Sequence, residues 1–197
     1  MRSLTMDPQK ITGSWTEGFT LDVHMKSADF AGYDGAGHAQ FENKVRSQLG
    51  EAVYQLKYGS RDPKEAKALA TTAASFTKKW KVKIDSVVPM PASRRRTVQP
   101  VELVAKDLGK LLGVEVVNDA VSKIKDTPQL KNVSVEERQK LLEGAHKVDS
   151  AEIKGKNILL LDDLYQSGAT MNAVAAILLS KGGAAKVFAL ALTRTKR

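Results

Sequence analysis

The chain contains no cysteine among its 197 residues. This absence excludes disulfide bridges and thiolate metal sites, and it suits a reducing compartment. The sequence also lacks an apolar run long enough to cross a bilayer, and its first ten residues lack the apolar stretch of a signal peptide. We therefore expect a cytoplasmic protein with no membrane partner.

Histidine is scarce as well, and the three histidines at positions 24, 38 and 146 show no metal-ligand spacing. We therefore expect no metal site built from protein side chains alone. A chain of this length fits one compact domain. Within it, residues 1–60 form an N-terminal strand and helix segment ahead of a core at 61–197.

Acidic residues are outnumbered, with 22 Asp and Glu against 31 Lys and Arg, which gives a net charge of +9. Such an excess attracts nucleic acid, acidic lipid heads or phosphorylated small molecules. The basic residues are spread over "TKKWKVK", "SRRR" and "TRTKR" without a tract long enough for a nucleic-acid arm. The distribution favours a local positive site for one phosphate-rich ligand and leaves weak nucleic-acid binding open.

Apolar spacing predicts the elements of the first 80 residues. Alternation from Trp15 to Met25 indicates a strand, and glycines interrupt the pattern after it. Helical spacing then predicts one helix with an inward stripe of Phe41, Val45, Leu49, Val53 and Leu56. A second helix is predicted from Asp62 as N-cap and Pro63 at its first position.

From Ile84 onward, apolar strands alternate with helices that end on glycines. This order predicts an α/β fold with a parallel sheet covered by helices on both faces. A polar stretch, "KIKDTPQLKNVSVEERQKLLEGAHKV", interrupts the alternation and carries a capping box at Ser134 and Glu137. Long polar excursions in compact domains are usually functional loops, so we predict a lid here.

The stretch "NILLLDDLYQSGAT" carries the strongest chemical signal. Ligands of open α/β sheets bind beyond the carboxyl ends of strands, where Asp162 and Asp163 are expected. Two adjacent carboxylates can accept hydrogen bonds from the vicinal hydroxyls of a ribose, and the small-residue turn after them can hold a phosphate at a helix N-terminus. The alternative, the magnesium-binding strand of a P-loop hydrolase, needs a G-x-x-x-x-G-K-[ST] loop that the sequence lacks.

"LLLDDLYQSGAT" resembles the phosphoribosyl pyrophosphate (PRPP) signature of type I phosphoribosyltransferases. The resemblance extends toward the ComF-like branch through "YQLKYG", "VVPMPASRRRTVQP", "KDTPQLKNVSVEER" and "VFALALTRT". Two features depart from that branch. The cysteine-rich zinc motif is absent, and Arg95, Arg96, Thr97, Val98 and Gln99 stand where the branch usually has R-G-F-N-Q.

The resemblance implies a role for each segment. Asp162 and Asp163 would position the ribose, and the 5′-phosphate loop would comprise Tyr165, Gln166, Ser167, Gly168, Ala169 and Thr170. The pyrophosphate loop would comprise Pro91, Ala92, Ser93, Arg94 and Arg95, assisted by Lys57, with a cis peptide at Met90–Pro91 as one way to turn backbone N–H groups toward the ligand. Gln129, Lys131 and Arg138 would belong to the lid, and magnesium would be held through PRPP.

The implied activity is transfer of the 5-phosphoribosyl group from PRPP to an unidentified acceptor with release of pyrophosphate, a reaction of nucleotide metabolism. The N-terminal segment, with Asp22 and His24, would form a hood over the acceptor. The competing interpretation is a binding protein that senses PRPP or nucleotides without turnover, or one associated with DNA uptake and competence. The sequence leaves the acceptor and a homodimer open.

Overall fold

A computed structural model describes residues 2–92, 99–124 and 144–196. Ten strands lie in these ranges, namely β1 (Gln9–Ile11), β2 (Glu17–Thr20), β3 (Met25–Tyr33), β4 (Ala39–Arg46), β5 (Ser86–Pro89), β6 (Glu115–Val116), β7 (Val121–Lys123), β8 (His146–Val148), β9 (Asn157–Tyr165) and β10 (Lys186–Arg194). Four helices accompany them, namely α1 (Gln48–Tyr58), α2 (Pro63–Trp80), α3 (Pro100–Leu112) and α4 (Ala169–Ser180).

Six strands form one sheet in the order β1-β2-β10-β9-β5-β6. All neighbours in this sheet run parallel except β1, which is antiparallel to β2. The predicted parallel α/β sheet is thereby confirmed. The N-terminal strands β1 and β2 lie in the same sheet as the later strands, since β2 pairs with β10.

The sheet is covered on both faces, as the alternation of strands and helices predicted. In β9, Leu159 and Leu161 pack with α1, α2 and α3 on one face, whereas Ile158 and Leu160 pack with α4 on the other. All four leucine and isoleucine side chains are fully buried. A strand whose side chains are buried on both sides reads as a continuous apolar run, which is the pattern of "ILLL".

The ends of α2 and α3 also follow the sequence. Asp62 caps α2 by accepting a hydrogen bond from the Lys64 N–H at 2.9 Å, and Pro63 follows at the first helical position. Gly113 ends α3 in the left-handed conformation with φ of 70°. No helix in the part of the chain that the structure describes is long and apolar enough to cross a bilayer.

The prediction of one helix from Phe41 to Leu56 is wrong in its first half. Phe41 and Val45 lie in β4, which pairs with β3 as an antiparallel hairpin, and α1 begins only after Ser47. The Ser47 hydroxyl accepts a hydrogen bond from the Gly50 N–H at 2.9 Å, which fixes the helix start. The apolar spacing misled because Phe41 and Val45 are exposed and join neither buried core.

Candidate active site

A cleft opens where the direction of the chain connections reverses. After β5 the chain crosses through α3 to β6 on one side, and after β9 it crosses through α4 to β10 on the other. Such a switch point leaves a crevice at the carboxyl ends of the two strands. The cleft has a volume of about 350 Å³ and is lined by Lys57, Met90, Pro91, Ala92, Gln99, Pro100, Val101, Glu102, Asp162, Asp163, Leu164, Gln166 and Thr170.

The paired acids lie within β9, which continues to Tyr165 and does not end at the last leucine. Because successive side chains of a strand point to opposite faces, Asp162 and Asp163 leave the backbone in different directions while both line the cleft. The two carboxylates are thus held apart by the strand itself. The Asp162 Oδ1 atom additionally accepts a hydrogen bond from the Asp163 N–H at 2.8 Å.

Asp163 is buried, with 8% of its surface exposed, and α1 supplies its counter-charge. Lys57 Nζ donates a hydrogen bond to Asp163 Oδ1 at 2.7 Å, and both side chains are largely withdrawn from water. A buried carboxylate without such a partner would be strongly unfavourable. Lys57 therefore supplies the partner that a carboxylate buried in this cleft requires.

Asp162 has no comparable counter-charge among the ion pairs of the described residues. Burial and, to a smaller extent, the negative charge of Asp163 together raise the pKa of Asp162 from 3.8 to about 7, against the opposing effects of the Asp163 N–H and of Lys57. Near neutral pH, Asp162 therefore exchanges a proton, beside an Asp163 carboxylate that is paired with Lys57.

The turn after β9 delivers the chain to the N-terminus of α4. Gly168 is the N-cap with φ of 74°, a conformation that residues with a Cβ rarely adopt, and it has no side chain to cap the helix. The Ser167 hydroxyl accepts a long hydrogen bond of 3.4 Å from the Ala169 N–H. The first turn of α4 contains no acidic residue. The next N–H groups of this turn and the partial positive charge of the helix end are thus available to an anion.

We expect Gly168→Ala to weaken binding of phosphate-bearing ligands by at least tenfold. A Cβ at position 168 would lie 2.4 Å from the Tyr165 hydroxyl oxygen and would add a left-handed alanine. Calorimetric titration of ribose 5-phosphate measures the loss. Gly155→Ala is the matched control, because Gly155 has the same φ of 74° and open space around it, and it precedes β9 whereas Gly168 follows that strand. An equal loss of affinity in both variants would contradict the assignment of the turn as a phosphate site.

The structure brings most of the predicted site residues together. Lys57, Pro91, Ala92, Asp162, Asp163, Gln166 and Thr170 line the cleft, and Tyr165, Ser167, Gly168 and Ala169 complete the turn beside it. The predicted roles of Ser93, Arg94, Arg95, Gln129, Lys131 and Arg138 fall on positions outside the described residues. The Met90–Pro91 bond is trans, since the described residues contain no cis peptide, so the cis expectation is wrong.

The sequence reasoning missed the wall formed by the start of α3. Gln99, Pro100, Val101 and Glu102 line the cleft opposite β9. The available signal was Pro100, because a proline directly after the predicted basic loop indicates a helix start at that point. This start of α3 also brings the exposed carboxylate of Glu102 to the lining of the cleft.

A family model for the phosphoribosyl transferase domain matches residues 62–196. The chain belongs to this family. It is also similar to the competence protein ComFC of Bacillus subtilis (strain 168), with 32% identity over 130 residues, which are 62% of this chain and 50% of that protein. The chain thus spans about half the length of this curated relative. The two matches confirm the resemblance to type I phosphoribosyltransferases of the ComF-like kind.

Solved phosphoribosyltransferase structures are more distant relatives. The adenine phosphoribosyltransferase of Saccharomyces cerevisiae, complexed with an imino-altritol bisphosphate and adenine, is 21% identical, with a TM-score of 0.45, covering 68% of this chain and 72% of that one. The Trypanosoma brucei enzyme, in complex with AMP, pyrophosphate and ribose-5-phosphate, is 14% identical, with a TM-score of 0.47, covering 96% and 86%. Both TM-scores lie below 0.5, so family membership rests on the sequence match.

Proposed function

We propose that this phosphoribosyltransferase-family protein binds PRPP with magnesium and transfers its 5-phosphoribosyl group to an acceptor, releasing pyrophosphate. One observation carries the proposal: the adjacent carboxylates of Asp162 and Asp163 line the same cleft as the turn that leads into the start of α4, where the N-cap is a glycine. The two carboxylates can accept hydrogen bonds from the ribose hydroxyls, and the helix start after them can bind the 5′-phosphate of the same sugar. A cytoplasmic location, where nucleotide precursors are used, belongs to the same proposal.

In this proposal each described part of the cleft has one task. Asp162 and Asp163 accept hydrogen bonds from the ribose hydroxyls, and the turn with Gln166 and Thr170 holds the 5′-phosphate. Pro91 and Ala92, which follow β5, and Lys57 of α1 line the same cleft and would face the pyrophosphate. Lys57 combines two roles there, because it already neutralises Asp163 and can attract a second anion.

Magnesium fits this donor set only together with PRPP. The ion prefers six oxygen ligands, whereas the cleft offers two adjacent carboxylates, one of them bonded to Lys57. In the described residues, no group of three or more acidic, histidine or cysteine side chains could hold a metal. Phosphate and ribose oxygens would supply the remaining ligands, and the bound ion would offset the charge of the departing pyrophosphate.

The transfer itself needs positioning more than covalent chemistry. The bond from the anomeric carbon to the pyrophosphate oxygen breaks with its electron pair on pyrophosphate, and a bond from the acceptor atom to the same carbon forms. The protein would hold the two reacting groups in line and stabilise the leaving anion, which are the effects that lower such barriers most.

The test is incubation with labelled PRPP and magnesium against a panel of nucleobases and other nitrogen nucleophiles, with calorimetry on the same sample. We expect saturable, magnesium-dependent PRPP binding, and labelled product with at least one acceptor. Binding without product would favour the sensing alternative. If PRPP bound no more tightly than free pyrophosphate, the cleft would not be a sugar-phosphate site, and the proposal would fail.

A second candidate function, binding of single-stranded DNA during uptake, is favoured by the net charge of +9 and by the competence relative. DNA binding of this kind weakens steeply as salt rises. Titration of the same protein with single-stranded DNA at two salt concentrations therefore separates it from PRPP binding. We expect weak, salt-labile DNA binding that PRPP does not abolish.

A further inference from the structure

The family match begins at residue 62, yet two residues that precede it hold Asp163 in place. Lys57 bonds to the carboxylate of Asp163, as described above. His24, in the connection between β2 and β3, reaches the main chain of Asp163 through the side chain of Thr193 on β10. The segment before the matched domain thus contributes to the site from two directions.

The donors and acceptors in the connection from His24 through Thr193 to Asp163 follow from the number of protons that each group carries. Thr193 Oγ1 lies 2.7 Å from the Asp163 carbonyl oxygen. A carbonyl oxygen only accepts, so the single hydroxyl proton of Thr193 is donated to Asp163. His24 Nδ1 lies 3.2 Å from the same Oγ1 atom, which can now only accept. His24 Nδ1 must therefore carry a proton.

The surroundings keep the His24 ring neutral. Burial lowers the pKa of His24, and the cations Arg46 of β4 and Lys57 of α1 lower it further, against the smaller opposing effects of Asp163 and Glu51. A neutral ring with its proton on Nδ1 leaves a lone pair on Nε2. Among the described residues, the hydrogen bond of the His24 ring is the one made by Nδ1.

His24 and Thr193 are both held in place by the surrounding fold. Thr193 is fully buried and lies opposite Leu164 in the pairing of β10 with β9. The His24 N–H donates to the Arg194 carbonyl at 2.7 Å, so the backbone of His24 is bound to the residue that follows Thr193. The connection is therefore part of the folded structure and does not depend on a mobile surface side chain.

We propose that His24 is a positioning residue of the site, whose Nδ1–H tautomer directs the Thr193 hydroxyl onto the Asp163 carbonyl and so fixes the backbone that presents Asp162 and Asp163 to the ribose. The role of His24 in ligand binding rests on the proposed function. The tautomer of His24 and the hydrogen-bond relay through Thr193 are independent of that function. Because β3 begins at Met25, the exposed β3–β4 hairpin is attached directly to this relay.

The ligand-free test is the tautomer of His24, read from the ring nitrogen shifts of ¹⁵N-labelled protein between pH 6 and pH 8. We expect the Nδ1–H form in the native protein. Thr193→Val, which keeps the shape but removes the hydroxyl, should shift the ring to the Nε2–H form, whereas Thr193→Ser should leave it unchanged. A native Nε2–H ring, or a Thr193→Val protein with an unchanged ring, would overturn the relay.

The ligand test uses replacements that separate the two ring nitrogens. The amide nitrogen of asparagine stands the same number of bonds from Cβ as His Nδ1, so His24→Asn retains the donor and should bind PRPP like the native protein. His24→Ala and His24→Gln lose a donor at that position, and we expect about fivefold weaker binding, the loss typical of one hydrogen bond.

His38, an exposed histidine at the far end of the hairpin, provides the matched control, and His38→Ala should leave PRPP affinity unchanged. Circular dichroism confirms that each variant is folded before titration. Equal affinity of the native protein, His24→Ala and His24→Asn would contradict the positioning role. If the native protein itself fails to bind PRPP, the proposed function fails, and the positioning of a ribose fails with it, while the tautomer measurement still decides whether the relay exists.

Discussion

Replacing Asp162 and Asp163 together by asparagine is expected to lower PRPP affinity by at least two orders of magnitude while the protein stays folded. Each charge-assisted hydrogen bond from a ribose hydroxyl to a carboxylate contributes about 1.5–3 kcal/mol, so the loss of both corresponds to a factor of roughly 10² or more. Both positions keep side chains of the same shape, but Asp163→Asn also removes the counter-charge of Lys57, so circular dichroism must confirm the fold before titration. Calorimetry with PRPP and magnesium measures the effect.

The control must remove the same charge elsewhere, because the double variant also changes net charge by two. Asp107→Asn with Asp119→Asn does so on side chains that do not line the cleft. PRPP affinity of this control should stay within about twofold of the native value, since distant surface charges are screened by salt. Unchanged affinity in a folded Asp162/Asp163 double variant would remove the ribose-binding role of the two acids.

The sequence predicts best those elements that are determined by contacts between residues close in the chain. Asp62 and Pro63 start α2 through contacts within four residues, and "ILLL" must be a strand buried on both sides because it has no polar position. The paired acids could be placed at the cleft for the same reason, since the end of a parallel strand has a known position relative to the crevice.

The charge balance of the site could not be predicted in this way. Lys57 and Asp163 are 106 residues apart, and His24 and Thr193 are 169 residues apart. Nothing in the spacing of either residue marks its partner, because the contact is set by how α1 and the β2–β3 connection pack against the sheet. The sequence alone therefore left Lys57 with a pyrophosphate role only, whereas its contact in the structure is with Asp163.

The error at the start of α1 has a different cause. Phe41 and Val45 are four residues apart, a spacing that fits a helix stripe, but a strand hairpin that buries neither face gives no alternation to compete with it. The deciding feature was Ser47, whose hydroxyl accepts the Gly50 N–H and begins the helix. Capping residues are thus more reliable boundaries than apolar spacing where the chain is exposed.

Asp162→Asn alone is expected to stabilise the ligand-free protein at pH 8 and to stabilise it only about a quarter as much at pH 4.5. In the native protein the pKa of Asp162 is raised from 3.8 to about 7. Between these two values the folded state holds a proton that the unfolded chain releases, so the contribution of Asp162 to stability declines as pH rises from about 4 to about 7 and is flat above. Asparagine carries no charge and is free of this decline.

The size of the effect follows from the same linkage. One pKa unit corresponds to about 1.4 kcal/mol, which sets a ceiling of about 4 kcal/mol, and water in the open cleft reduces the expected gain to about 1–3 kcal/mol. Urea denaturation of the native protein and the variant at both pH values measures it. The comparison cancels the titration of other groups, because they are present in both proteins.

The same substitution should weaken PRPP binding at pH 8, since a neutral amide accepts hydrogen bonds from ribose hydroxyls more weakly than a carboxylate does. The native affinity should itself fall as pH drops from 8 to 6 and Asp162 gains its proton. Higher stability together with weaker ligand binding is expected when a charged side chain serves ligand binding at a cost to the stability of the fold. Equal stability of the two proteins at pH 8 would show that Asp162 is well solvated and would contradict this account.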